Sequence, residues 1–179
     1  MAAQVEANVR KLKNIWVDRH TVETIAKKHK VVNGVLCHGT RNAAEQKYFS
    51  EFFPSADIIG TEISHTATEF PMTVQWDFHE INPDWVAKFD IVYSNAIDHS
   101  YDPVKAITVW SEQLNDQGVL YLEHAYSPQD NYSRASDPLE IYDGEIREIL
   151  QQLNLKLIEV FDTTGIKGRC PCRVYVINK

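Results

Sequence analysis

Short apolar runs alternate with amphipathic stretches of about ten residues from Val31 onward. Buried strands are predicted over 31–37 and 57–63, with a short one over 73–76 after Pro71. Further strands are predicted over 89–94, 119–123, 155–161 and 173–177. Helical spacing falls between them, over 42–53, 103–114 and 143–153. Pro103 suits the first turn of its helix, where an amide proton is not needed. Asn115-Asp116-Gln117-Gly118 reads as a turn, and 126–138 as a polar loop. Before all of this, residues 4–28 hold Val5, Val9, Leu12 and Trp16 at helical spacing without a glycine, which predicts one helix.

Strands alternating with helices imply βαβ units and a mainly parallel sheet. The last two strands break the rule, since only 162–172 separate them, with Gly165, Gly168 and Pro171. A parallel crossover needs a dozen or more residues, usually helical, so this pair is expected to be antiparallel. The expected fold is therefore α/β: a doubly wound, Rossmann-like three-layer sandwich whose seven-stranded sheet has six parallel strands and a reversed last one. Residues 1–30 form an N-terminal helical segment packing on this core, and 31–179 form the core domain. Trp76, Trp85 and Trp110, set among apolar residues, are expected to pack in the core or at its rim.

Composition narrows the partners. The 179 residues are 44% hydrophobic and 24% charged, a globular balance, and one domain is the size they allow. A net charge of −7 with scattered Lys and Arg argues against nucleic acid, which is bound through clustered cations. No apolar run reaches the ~18 residues of a membrane span, and no signal-like stretch opens the chain, so a cytoplasmic monomer or homodimer is expected. Cys37, Cys170 and Cys172 offer no pairing framework, Cys170-Pro171-Cys172 lacks metal-pair spacing and reads as a turn, and no metal is expected.

Ligands of open α/β sheets sit beyond the carboxyl ends of the strands, so the residues there are the candidates. The first strand ends in Cys37-His38-Gly39-Thr40-Arg41, with Gly39 placed for a tight turn. Glu62 follows the second strand, 23 positions beyond Gly39, a spacing that suits ribose hydroxyls, or else it is an exposed strand end. Asp77-Phe78 after the third could meet an adenine amino group and base, or Asp77 could cap a helix. Asn95, Asp98 and His99 follow the fourth strand, and Glu123-His124 end the fifth.

These residues, in this order, resemble the motif series of class I S-adenosylmethionine-dependent methyltransferases over about residues 31–179. Ile59-Gly60-Thr61-Glu62-Ile63-Ser64 is similar to the second motif, Phe89 to Asn95 with Asp98-His99 to the fourth, and 114–122 to the segment leading into strand five. The first motif departs from the pattern. Cys37 stands at the usual acidic place, and Arg41 and Ala43 replace the later glycines. The resemblance implies S-adenosylmethionine as cofactor, with His38, Gly39, Thr40, Arg41, Glu62, Ile63, Asp77, Phe78 and Asn95 around it. Arg41 either holds the cofactor carboxylate or forms a surface ion pair. His38 is either at the cofactor or an ordinary loop residue.

Methyl transfer needs a positioned acceptor, excluded water and, for an oxygen acceptor, a base. His99 is the first candidate base and His124 the second, with Asp98 orienting a histidine or holding an acceptor hydroxyl. The 126–138 stretch is expected to be a lid or acceptor loop, and the acceptor a small polar or sugar-like molecule. Two other classes stay open: a same-fold enzyme that uses the sulfonium differently or uses a dinucleotide, and a non-catalytic binding or dimerisation module.

Overall fold

The computed structural model describes residues 9–125, 139, 141–163 and 171–179. Seven strands form one sheet: β1 (Gly34–His38), β2 (Asp57–Glu62), β3 (Thr73–Gln75), β4 (Phe89–Ser94), β5 (Leu114–Ala125), β6 (Lys156–Thr163) and β7 (Cys172–Asn178). Four helices lie wholly within the described residues: α1 (Arg19–Ala26), α2 (Ala44–Phe52), α3 (Pro103–Glu112) and α4 (Asp143–Gln152). The sheet order is β3-β2-β1-β4-β5-β7-β6. Neighbours from β3 through β5 pair in parallel, and β7 runs antiparallel between β5 and β6. The doubly wound fold with a reversed last strand is thus as expected.

The period-two alternation of side chains divides the core. Leu36, Val92, Leu120 and Leu122 pack against Ile107 and Trp110 of α3 and Ile146 and Ile149 of α4. Val35, Cys37, Ile91, Tyr93 and Tyr121 pack on the other face against Val22 and Ile25 of α1 and Phe49 of α2. β1 is buried at all five positions, as a central parallel strand requires. Trp85 and Trp110 are buried and Trp76 packs at the edge of the same cluster, as read from the sequence.

The predicted 4–28 helix is corrected. Residues 1–8 lie outside the description, Val9 and Arg10 are helical, 11–18 are turn and coil, and α1 starts only at Arg19. Three hydrogen bonds account for this. The Asp18 carboxylate accepts from the His20 amide at 3.0 Å and so caps α1. The Asn42 side-chain amide donates to the Leu12 and Asn14 carbonyls at 2.9 and 3.0 Å, tying that backbone to the loop after β1. Trp16 is consequently exposed and Val17 buried. The predicted turn at 115–118 lies within β5 as an irregularity, because pairing passes from Phe89↔Leu114 directly to Ile91↔Val119. Other boundaries shift by one to three residues. The 126–138 loop lies outside the described residues, as does the 164–170 part of the predicted last turn, Cys170 included.

α2 is fastened to the sheet by Gln46. Its amide donates to the Thr40 and Thr73 hydroxyls at 2.9 and 3.0 Å and lies on Gly60 of β2, where any Cβ would run into it. Gly60→Ala should therefore cost about 1–3 kcal/mol, the range for overpacking a filled site. Denaturant melts of Gly60→Ala and of Gly60→Ala with Gln46→Ala test this: the double variant should be relieved of the clash, and an undiminished single variant contradicts the packing.

Candidate active site

The loop after β1 crosses the carboxyl edge of the sheet in three alternating left-handed steps, at Gly39 (φ 73°), Arg41 (φ 39°) and Ala43 (φ 60°). Gly39 cannot carry a side chain there, since its Cβ would stand 2.5 Å from the Ala96 methyl in the loop after β4. Arg41 and Ala43 hold a conformation that favours glycine at about 1–2 kcal/mol each. The surroundings impose it. The Thr40 amide donates to the Thr61 carbonyl at 2.9 Å, and the Arg41 amide donates to Glu62 Oε2 at 3.1 Å. The other oxygen of Glu62 accepts from the Ser64 amide at 2.9 Å. Glu62 is almost wholly buried, so one carboxylate joins the loops after β1 and β2.

Beyond β2 and β3 lies a shallow pocket of about 340 Å³ lined by Ile63, Gln75, Trp76, Asp77 and Glu80. The Asp77 carboxylate accepts from the His79 amide at 3.0 Å, lies 2.7 Å from His79 Nδ1 and accepts from the Tyr101 hydroxyl at 3.2 Å. Burial alone would raise its pKa, but these bonds outweigh it and leave Asp77 below the usual carboxylate range. His79 in turn lies 2.7 Å from Ser100 Oγ and stacks on Tyr101 at 3.7 Å. His79, Ser100 and Tyr101 were not singled out by sequence, because their polar atoms are brought together only by the chain crossing from β3 to β4.

Two side chains point elsewhere than expected. His38 lies 2.9 Å from Thr61 Oγ1 and 2.8 Å from Gln113 Oε1, and stacks on Trp110 at 5.3 Å. Both ring nitrogens are occupied within the core, and burial pulls its pKa down to about 4. A cofactor role for the His38 side chain is thereby corrected. Phe78 packs edge-on to Trp110 and His38 beneath Gly39, so its ring belongs chiefly to the core.

On the α1 side of the sheet lies a buried acidic group. The Glu45 carboxyl, in the first turn of α2, is 95% buried, and its Oε2 has no hydrogen-bond partner. Burial pushes its pKa up to about 8, against weaker lowering by its own backbone amide, Arg41 and Asn95. Glu123 of β5 accepts from Thr163 at 3.1 Å, from Thr21 at 3.4 Å and from Tyr93. Burial raises its pKa as well, and these bonds oppose the rise. On the opposite face, His124 bonds the Ile141 carbonyl through Nε2 at 2.9 Å. Burial lowers its pKa, with Asp98 acting in the other direction. Asp98 Oδ1 is buried without a partner. Asp98 is thus near enough to His124 to act on its charge without a bond between them, while His99 ends a short 3₁₀ turn (Ile97–His99) next to Asp98 in the chain.

No protein-family model and no curated protein sequence matches this chain. Solved structures do. A 1,6-didemethyltoxoflavin N1-methyltransferase from Burkholderia thailandensis, solved with 1,6-didemethyltoxoflavin and S-adenosylhomocysteine, has a TM-score of 0.72 at 15% identity, over 90% of this chain and 77% of its own. The chain has the fold of the S-adenosylmethionine-dependent methyltransferases. A TehB-like methyltransferase from Corynebacterium glutamicum has a TM-score of 0.68 at 17% identity, covering 99% and 96% of the two chains. A methyltransferase from Aquifex aeolicus has a TM-score of 0.67 at 11% identity, covering 91% and 100%.

Within this methyltransferase fold, Glu45 is a further residue that sequence reading missed. A signal was present: Glu45 shares a helical face with Phe49 and Phe52, an acid on an apolar stripe. Its protonation is testable. A carboxyl held at about 8 when folded and near 4.5 unfolded retains its proton in the folded state, so its contribution is full below pH 4.5 and is lost as pH rises towards 8. Glu45→Gln does not titrate. Its stability relative to wild type should thus rise by about 1.4 kcal/mol per pH unit between those limits. A difference independent of pH in parallel urea melts would contradict the assignment.

Proposed function

We propose that this chain binds S-adenosylmethionine at the loops after β1 to β4 and transfers its methyl group to a small polar or sugar-like acceptor. The observation that carries this reading is the loop after β1, which keeps the left-handed steps of a glycine-rich loop at Arg41 and Ala43 without the glycines. Evenly strained positions of this kind persist where the surrounding structure enforces them, commonly at ligand sites.

The residues fit the cofactor. Glu62 has two amide donors and four lone-pair directions, so ribose hydroxyls can complete its shell. Ile63 and Asp77 line the pocket next to it, where an adenine would lie. Gly39, Thr40, Arg41 and Asn95 would flank the amino-acid end, where the Thr40 hydroxyl accepts from Gln46 and keeps its own proton to donate. When bound, the cofactor supplies an electrophilic methyl group on a positively charged sulfur.

The chain's own part is to place an acceptor and take its proton. His124 is assigned that role. Its Nε2 proton goes to the Ile141 carbonyl, which leaves the lone pair on Nδ1, and burial keeps the ring neutral at pH 7. The buried, unpartnered Asp98 Oδ1 is placed to hold an acceptor hydroxyl or the histidinium formed. His99 is at the rim of the same group and is the second candidate. A cytoplasmic site of action belongs to the same proposal, supported by Cys37 standing as a buried free thiol and by the absence, among the described residues, of a helix able to cross a membrane.

Calorimetry with S-adenosylmethionine, S-adenosylhomocysteine and NAD tests the first half of the reading. The two sulfur compounds should bind and NAD should not; binding of NAD alone would favour a dehydrogenase. For the second half, once an acceptor is in hand, His124→Ala should lower turnover by about 10²–10⁴-fold with cofactor affinity retained. Equal turnover per folded molecule removes His124 from the role.

A further inference from the structure

The unpartnered oxygen of Glu45 calls for a ligand. A carboxyl 95% buried, with one oxygen bonded to nothing, is costly unless something with donors completes it. The groups facing it come from four elements: Arg41 from the loop after β1, Cys37 from β1, Tyr93 from β4 and Glu123 from β5. The neighbouring Asn95 amide bonds the same carboxyl. These are the ends of β1, β4 and β5, on the side away from the Ile63–Asp77 pocket. The loop after β1 links the two regions: the Arg41 amide bonds Glu62 beside that pocket, and the charge of Arg41 acts on Glu45. A cation with several N–H donors is what a buried carboxyl oxygen without a partner accepts.

We propose that Glu45 receives the ammonium group of the cofactor's amino-acid end, with Asn95 beside it. This rests on the methyltransferase reading. The acid that holds the ammonium thus stands in the first turn of α2, while Cys37, at the end of β1, is a buried thiol that burial keeps protonated. Binding then has a proton balance. Glu45 is mostly protonated at pH 7, and an ammonium against it favours the ionised form, so its proton leaves to solvent as the ion pair forms.

The test compares two probes on wild type and Glu45→Gln. S-adenosylhomocysteine has the amino-acid end, and 5′-methylthioadenosine keeps the adenosine and thioether without it. Glu45→Gln should weaken S-adenosylhomocysteine roughly 10–100-fold, the range of a charged hydrogen bond, and leave 5′-methylthioadenosine within about twofold. Calorimetry at pH 7 in buffers of differing ionisation enthalpy should find that wild type releases up to about one proton more per S-adenosylhomocysteine bound than the variant does. The variant is isosteric with the protonated acid, and a melting curve confirms its fold. Unchanged S-adenosylhomocysteine affinity overturns the proposal. Equal weakening of both probes also overturns it, since Glu45 would then act only by shaping the loop. If neither probe binds wild type, the methyltransferase reading itself fails, and this inference with it.

Discussion

One buried carboxylate sets the geometry of the site. Glu62 accepts the amide of Arg41 with one oxygen and the amide of Ser64 with the other, and is itself almost inaccessible to solvent. Together with the Thr40 amide on the Thr61 carbonyl, that pair of bonds holds the loop after β1 against the end of β2 and sustains the left-handed steps at Arg41 and Ala43. The sheet supplies the rest of the frame. Parallel pairing sets His38 beside Thr61 and Ser94, so the loops after β1, β2 and β4 leave the edge at one level. Gln46, lying on Gly60, draws the start of α2 down onto them.

Around this clamp the edge divides by chemistry. The β2–β3 side is open, with a pocket of half-buried polar groups and an Asp77 held ionised by its hydrogen bonds. The β1, β4 and β5 side is closed and acidic, with Glu45 and Glu123 both inclined to keep a proton by burial. A nucleoside suits the first environment and a cationic group the second. The same division explains why a first loop with one glycine remains compatible with the fold: its shape is imposed from outside, by Thr61, Glu62 and Ala96, and does not depend on the freedom of its own residues.

Much of this was legible in the chain. Alternating apolar runs gave the strands, and the short gap before β7 gave the reversed last pair, because burial and connection length are local properties. Glu62 could be singled out by its distance from Gly39. What escaped depended on contacts between distant segments. Asn42 withdraws the carbonyls of Leu12 and Asn14 from a helix that periodicity alone favours. His38, by sequence either at the cofactor or an ordinary loop residue, has both its nitrogens occupied by Thr61 and Gln113. Asp98 and His124 were candidates by sequence, whereas Glu45 stood out only once burial left one of its carboxyl oxygens without a partner.

The most direct test of the account is to map where the cofactor product lands. Amide spectra of ¹⁵N-labelled protein titrated with S-adenosylhomocysteine should show saturable shifts concentrated at Gly39, Thr40, Arg41, Ile63, Ser64, Asp77 and Asn95. Residues at the opposite edge of the sheet, such as Gly34, Asp57 and Gly118, should stay fixed. Shifts confined to that opposite edge, or no saturable shifts at all, would contradict the placement of the site at the loops that Glu62 joins.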